Sequence, residues 1–85
     1  MSDTRLLLIE DDKILGTSLT QRLALEGFQV RWADTAAQAT KALKERRYDI
    51  IISDIRLPDG DGEAVMRAQF DQMGLVPIIF MTAYG

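Results

Sequence analysis

Ile50, Ile51 and Ile52 form an uninterrupted β-branched run within residues 48–62, and the run ends on one acid, Asp54. Apolar residues without polar alternation suit a strand covered on both faces, and such strands belong to parallel sheets flanked by helices. Asp54 then lies at the carboxyl end of its strand. Open α/β sheets hold their ligand crevice outside that end, so the carboxylate is placed for chemistry. Pro58, Gly60 and Gly62 follow within a few residues and predict that the strand stops in a loop.

The rest of the chain repeats the theme. Arg5–Ile9 is a second aliphatic run, and it leads directly into Glu10, Asp11 and Asp12. From Asp12 the period becomes helical: Leu15, Leu19 and Leu23 recur with Ile14 and Ala24 alongside, and Gly27 marks the stop. This predicts an amphipathic helix packed on a sheet. Residues 28–32 alternate as a short strand near the sheet edge, with Trp32 in a packing or rim position. Asp34 or Thr35 caps the next helix, which runs to about Arg47 with Ala36, Ala39, Ala42 and Leu43 on its inner side. Residues 63–73 read as a third helix closed by Gly74. Residues 76–81 read as a fourth strand, with Pro77 at its start, where no ladder donor is required. The order βαβαβαβ calls for a parallel sheet, with residues 1–85 forming most of one α/β domain.

Composition narrows the function classes. The 85 residues carry a net charge of −3, which argues against a nucleic-acid surface on this segment. Lys41, Lys44, Arg46 and Arg47 fit the solvated side and last turn of a helix. No run is long and apolar enough for a membrane span, and the amino terminus does not resemble a signal peptide. Cysteine is absent, which removes disulfides and thiolate sites and agrees with a cytoplasmic setting. Histidine is absent too, so the chemistry rests on carboxylates, hydroxyls and amines.

Glu10 and Asp11 end one strand and Asp54 ends another, and the two strands are expected to be neighbours. Such a cluster repels itself unless a cation neutralises it. With oxygen ligands alone, the natural cation is Mg²⁺, which is commonly held by one or two carboxylates, water and phosphate oxygens. Asp54 is then a candidate nucleophile toward phosphorus, and Thr82 offers a hydroxyl after the fourth strand. Asp12 either joins this pocket or caps the first helix. Asp59 and Asp61 lack the spacing of a calcium loop and read as solvated loop residues.

Three stretches together resemble the receiver domain of bacterial two-component response regulators. They are the acids after Leu8-Ile9, the segment from Asp49 through Asp54 to Leu57-Pro58 and Gly62, and the Pro77-to-Thr82-Ala83 ending. The loop and the Thr82-Ala83-Tyr84-Gly85 ending look most like receivers of NtrC-like transcriptional activators. The resemblance implies a flavodoxin-like (CheY-like) doubly wound sheet, here with strand order 2-1-3-4, and a phosphoacceptor role for Asp54. It also implies that Glu10, Asp11, Asp54 and the main-chain carbonyl of Arg56 hold Mg²⁺, and that Thr82 is the switch hydroxyl. The implied donor is a sensor histidine kinase and the implied output is transcriptional. A phosphoacceptor of this kind assists its own phosphorylation and dephosphorylation without being a turnover enzyme.

The family's fourth helix, fifth strand and fifth helix, with their lysine and switching aromatic, have no counterpart in these residues. The strand over 76–81 is therefore expected to form an apolar sheet edge, with Ile78, Ile79 and Phe80 available for pairing with a second copy. This leaves two function classes: a phosphorylatable receiver that also forms a homodimer, and a receiver-like interaction or dimerisation module that is not phosphorylated.

Overall fold

The computed structural model describes residues 4–54, 56, 57, 60, 61 and 77–81. Strand β1 (Arg5–Ile9) leads into helix α1 (Lys13–Leu25), then β2 (Gln29–Ala33), α2 (Ala36–Glu45) and β3 (Ile50–Asp54). Two short strands, β4 (Arg56–Leu57) and β5 (Gly60–Asp61), precede β6 (Ile78–Met81). The main sheet has the order β2-β1-β3-β6, and every pairing in it is parallel. This is the 2-1-3-4 arrangement expected of the four principal strands. The third helix expected over 63–73, with Gly74 as its stop, lies outside the described residues.

The β1 sequence Leu6-Leu7-Leu8-Ile9 has no polar alternation, and all four side chains are fully buried. Burial of each such side chain contributes about 1.5–3 kcal/mol. Successive strand residues face opposite sides of a sheet. Leu7, Ile9, Ala33 and Ile51 accordingly cluster with Ala36, Ala39 and Ala42 of α2 and with Tyr48. Leu6 and Leu8 face the other way. In register with Leu8 lies Trp32, whose ring meets Gly16 of α1. The two helices thus cover opposite faces of the sheet.

Both helices have side-chain caps. The Asp12 carboxylate accepts from the amides of Ile14 (2.9 Å) and Leu15 (3.1 Å), and Thr35 Oγ1 accepts from the amide of Gln38 (3.1 Å). Of the two caps open for α2, Thr35 is the one used, and Asp12 is committed to α1. At the end of α1 the amide of Gly27 donates to the carbonyl of Ala24 and that of Phe28 to Leu23, both at 3.1 Å. Gly27 has φ 98°, so this is a Schellman stop that a residue with a Cβ adopts only under strain.

Three expectations need correction. Helix α1 is not a broad apolar stripe against the sheet: Ile14 is 82% exposed, Leu25 85%, and Gly16 is its one fully buried residue. The leucine spacing sets the helix, but the inward side is Gly16 with Leu19, Thr20 and Leu23 half-buried. The loop after Asp54 contains a ribbon, in which β4 and β5 pair antiparallel with Arg56 opposite Asp61 and Leu57 opposite Gly60. Within β3, Ile51 is buried while Ile50 and Ile52 are half-buried, so coverage is unequal on its two faces.

At the amino ends of the strands, the amide of Asp49 donates to the carbonyl of Arg5, and the Arg5 amide donates to Asp49 Oδ2, both at 2.8 Å. Pro77 precedes β6 and needs no donor there; its carbonyl accepts from the amide of Ile51 at 3.0 Å. β6 is the outer strand of the main sheet among the described residues, and Ile79 on it is 50% exposed.

Candidate functional site

The candidate site begins with strand register. Ile9 of β1 stands beside Ser53 of β3 in parallel pairing, so the next residues, Glu10 and Asp54, lie at the same end of the sheet. Asp54 also pairs in register with Met81, which brings the end of β6 to that end. The apolar runs of both strands end on acids, and the register makes those ends coincide.

Glu10 is only 4% exposed, although it is a carboxylic acid. Its amide donates to the carbonyl of Ala33 (3.0 Å), and its Oε2 faces the amide of Asp12 at 3.5 Å. Its own carbonyl accepts a 2.8 Å hydrogen bond from the indole Nε1 of Trp32. Asp11 is exposed at the rim. Asp12, one residue on, is taken up by the helix cap. Lys13 forms an ion pair with Asp34, and its Nζ lies 5.7 Å from the centroid of the Trp32 ring.

The side chain of Asp54 lies outside the described residues, and so does the whole of Thr82. Asp59 falls outside them as well, while Asp61 is found in β5 instead of a free loop. Arg56 opens β4 two residues beyond Asp54. Among the described residues, no group of three metal-ligating side chains converges. The expected trio includes the Asp54 carboxylate, so the test that remains is one of donor chemistry. A buried Glu10, an exposed Asp11 and an oxygen-only donor set suit a hard, partly hydrated ion such as Mg²⁺.

Two residues at this end of the sheet make contacts that residue identity does not signal. Trp32, expected in a packing or rim position, donates to the main chain of a candidate ligand residue 22 positions away. Gly16 sits within the leucine pattern of α1 and lies against the Trp32 ring. Glycine in a helix interior costs about 1 kcal/mol relative to alanine, and that oddity was the available signal of a close approach.

Among the described residues, no helix is long and apolar enough to cross a membrane.

Comparison with known proteins agrees with the sheet order. A family profile described as the response regulator receiver domain matches residues 6–85. The transcriptional regulatory protein QseB of Escherichia coli O157:H7 is 35% identical over 79 residues, covering 93% of this chain. The DNA-binding transcriptional regulator NtrC of Proteus hauseri is 32% identical over 77 residues, covering 91% of it. The chain spans 36% of the length of the first of these relatives and 16% of the second. Among solved structures, the non-phosphorylated HemR receiver domain from Leptospira biflexa superposes with a TM-score of 0.89 at 34% identity, covering 96% of this chain and 66% of that one. A CheY-like receiver domain protein from Methanospirillum hungatei superposes with a TM-score of 0.91 at 27% identity, covering 99% of this chain and 67% of that one. With the profile spanning nearly its whole length, the chain belongs to the response regulator receiver domain family.

Proposed function

We propose that this chain is the phosphoacceptor segment of a two-component response regulator and that Asp54 receives the phosphoryl group. The observation that carries the reading is the in-register pairing of β1 and β3, which puts Glu10 and Asp54 at one end of the sheet. In the proposed transfer, a carboxylate oxygen of Asp54 attacks the phosphorus of a phosphohistidine on a sensor kinase. The P–N bond breaks, its electron pair stays with the imidazole, and an aspartyl phosphate forms. The donor is external because this chain has no histidine.

Glu10, Asp11, Asp54 and the main-chain carbonyl of Arg56 would hold Mg²⁺. When bound, the ion supplies neutralising charge for the clustered carboxylates and the phosphoryl oxygens. Burial of Glu10 restricts the directions in which it can present its carboxylate, and the exposed Asp11 leaves room for water and phosphate oxygens. The Thr82 hydroxyl is assigned to the phosphoryl group as the switch that relays the change to a transcriptional output. The chain acts as a phosphoryl acceptor in the cytoplasm and not as a turnover enzyme.

Intact-mass measurement after treatment with acetyl phosphate and Mg²⁺ tests the reading. One phosphate adduct is expected, and it should be absent in Asp54→Asn; an adduct of equal yield in that variant overturns the assignment.

The half-exposed Ile79 on β6, the outer strand of the main sheet among the described residues, favours a companion reading, in which a second copy of the chain pairs along β6. Light scattering at low micromolar concentration should show a dimer that Ile79→Lys disperses. A strictly monomeric, folded chain removes this companion reading and leaves the phosphoacceptor reading standing.

A further inference from the structure

We propose that Trp32 is a positioning residue for the metal-binding turn, an inference that rests on the phosphoacceptor reading. The Glu10 carbonyl that accepts its indole N–H belongs to the peptide group joining Glu10 to Asp11. A peptide group is planar, so fixing its oxygen fixes the plane from the Glu10 Cα to the Asp11 Cα. The directions in which both candidate ligand side chains leave the backbone are then set together. On the other side of Glu10, the bond from its amide to Ala33 completes the restraint.

The ring itself is met by two residues of α1 that lie three apart. At Gly16 an added Cβ would overlap Cζ2, Cε2 and Nε1 of the indole, so α1 reaches the ring only because no side chain intervenes. One turn earlier, the Lys13 ammonium stands 5.7 Å from the ring centroid while paired with Asp34. Lys13 follows directly on Glu10, Asp11 and Asp12. Trp32, Gly16 and Lys13 therefore form one clamp around the turn that carries the acids. Outer hydrogen bonds that orient ligand residues typically govern metal affinity by about 10–100-fold.

The clamp is tested by calorimetric titration of Mg²⁺ into the wild-type chain, three singly altered forms and one double variant. Trp32→Phe keeps an aromatic ring and deletes the donor. Biosynthetic replacement of tryptophan by benzothienylalanine changes this one site, since Trp32 is the sole tryptophan, and substitutes sulfur for N–H in a ring of nearly the same shape. Gly16→Ala displaces the ring. All three should weaken Mg²⁺ binding about tenfold while circular dichroism and the urea midpoint of the benzothienyl form stay unchanged. Gly16→Ala combined with Trp32→Phe should be no weaker than Trp32→Phe alone, because both act through one hydrogen bond. Mg²⁺ affinities within about twofold of wild type in the Phe and benzothienyl forms overturn the positioning role. A wild-type chain that binds no Mg²⁺ overturns the metal reading itself and the inference with it.

Discussion

The two described helices, both read as amphipathic, meet the sheet in different ways. Helix α2 buries Ala36, Ala39 and Ala42, three small residues on one side, and joins the cluster around Leu7, Ile9 and Ile51. Helix α1 buries only Gly16 and leaves Ile14 and Leu25 largely in water. The leucines of α1 are the stronger hydrophobic signal in the sequence, yet the alanines of α2 make the closer contact. Small residues at helical spacing report how near the backbone comes to its neighbour. Large apolar residues report only that a stripe exists, whatever covers it.

Substitutions can sharpen this contrast, beginning with the one expected to cost most. Ala39 is fully buried, so Ala39→Leu forces extra volume between α2 and the sheet. It should destabilise the chain by about 1–3 kcal/mol, read from the urea midpoint. A loss below about 0.5 kcal/mol would mean that the alanine side of α2 is not closely packed on the sheet.

The caps come next. Asp12→Ala removes the acceptor for two helix amides and Thr35→Ala removes the acceptor for one, each at an expected cost of about 1 kcal/mol. Asp12→Asn retains cap geometry and should be nearly neutral in the same unfolding measurement. If Asp12→Asn were as costly as the alanine variant, the charge and not the cap would be the stabilising element.

Tyr48 carries the third prediction. It lies in the α2-side cluster at 6% exposure, and its hydroxyl is buried without a hydrogen-bond partner among the described residues. Burial raises its pKa above the ordinary 10.0, opposed by the nearby cations Arg31, Arg46 and Arg5. Below about pH 10 the phenol is neutral in both folded and unfolded chains. Above that, the unfolded chain releases its proton first, so stability is lost as pH rises through the folded pKa. Tyr48→Phe should flatten this alkaline loss and add up to about 1 kcal/mol at neutral pH, where an unpaired buried hydroxyl is deleted. Unfolding curves at neutral pH and in the alkaline range check both signs.

The smallest effect belongs to α1. Ile14→Gln on its exposed side should change stability by less than about 0.5 kcal/mol. A cost well above that would show that the face is covered in solution.

The strands were legible because their chemistry is one-dimensional. Aliphatic runs ending on acids at Glu10 and Asp54 mark both a buried strand and the end that faces the crevice, and Pro77 marks where β6 can begin. The stop at Gly27 was equally readable, because glycine just past an apolar helical run favours a left-handed cap, and φ is 98° there. The packing of α1 was not readable from the leucine spacing, since periodicity does not say which residue of a stripe touches the sheet. The role of Trp32 was hidden because its partner is a main-chain oxygen, which leaves no trace in residue identity. The pairing of β4 with β5 escaped for a related reason: Pro58, Gly60 and Gly62 signal a reversal of the chain, and the ladder bonds around it belong to the backbone.

The reciprocal bonds between Arg5 and Asp49 have a consequence at the opposite end of the sheet. Strands behave as nearly inextensible rods, so an alignment fixed at one tip is transmitted to the other. Sliding β1 against β3 by one residue would shift Glu10 along Asp54 by about 3.3 Å and turn every β1 side chain to the wrong face. Asp49, whose side-chain oxygen and amide grip both polar groups of Arg5, acts as a gauge block for acids it never touches. The alignment of the two strand ends that carry Glu10 and Asp54 is thus set a full strand length away, at the opposite end of β1 and β3.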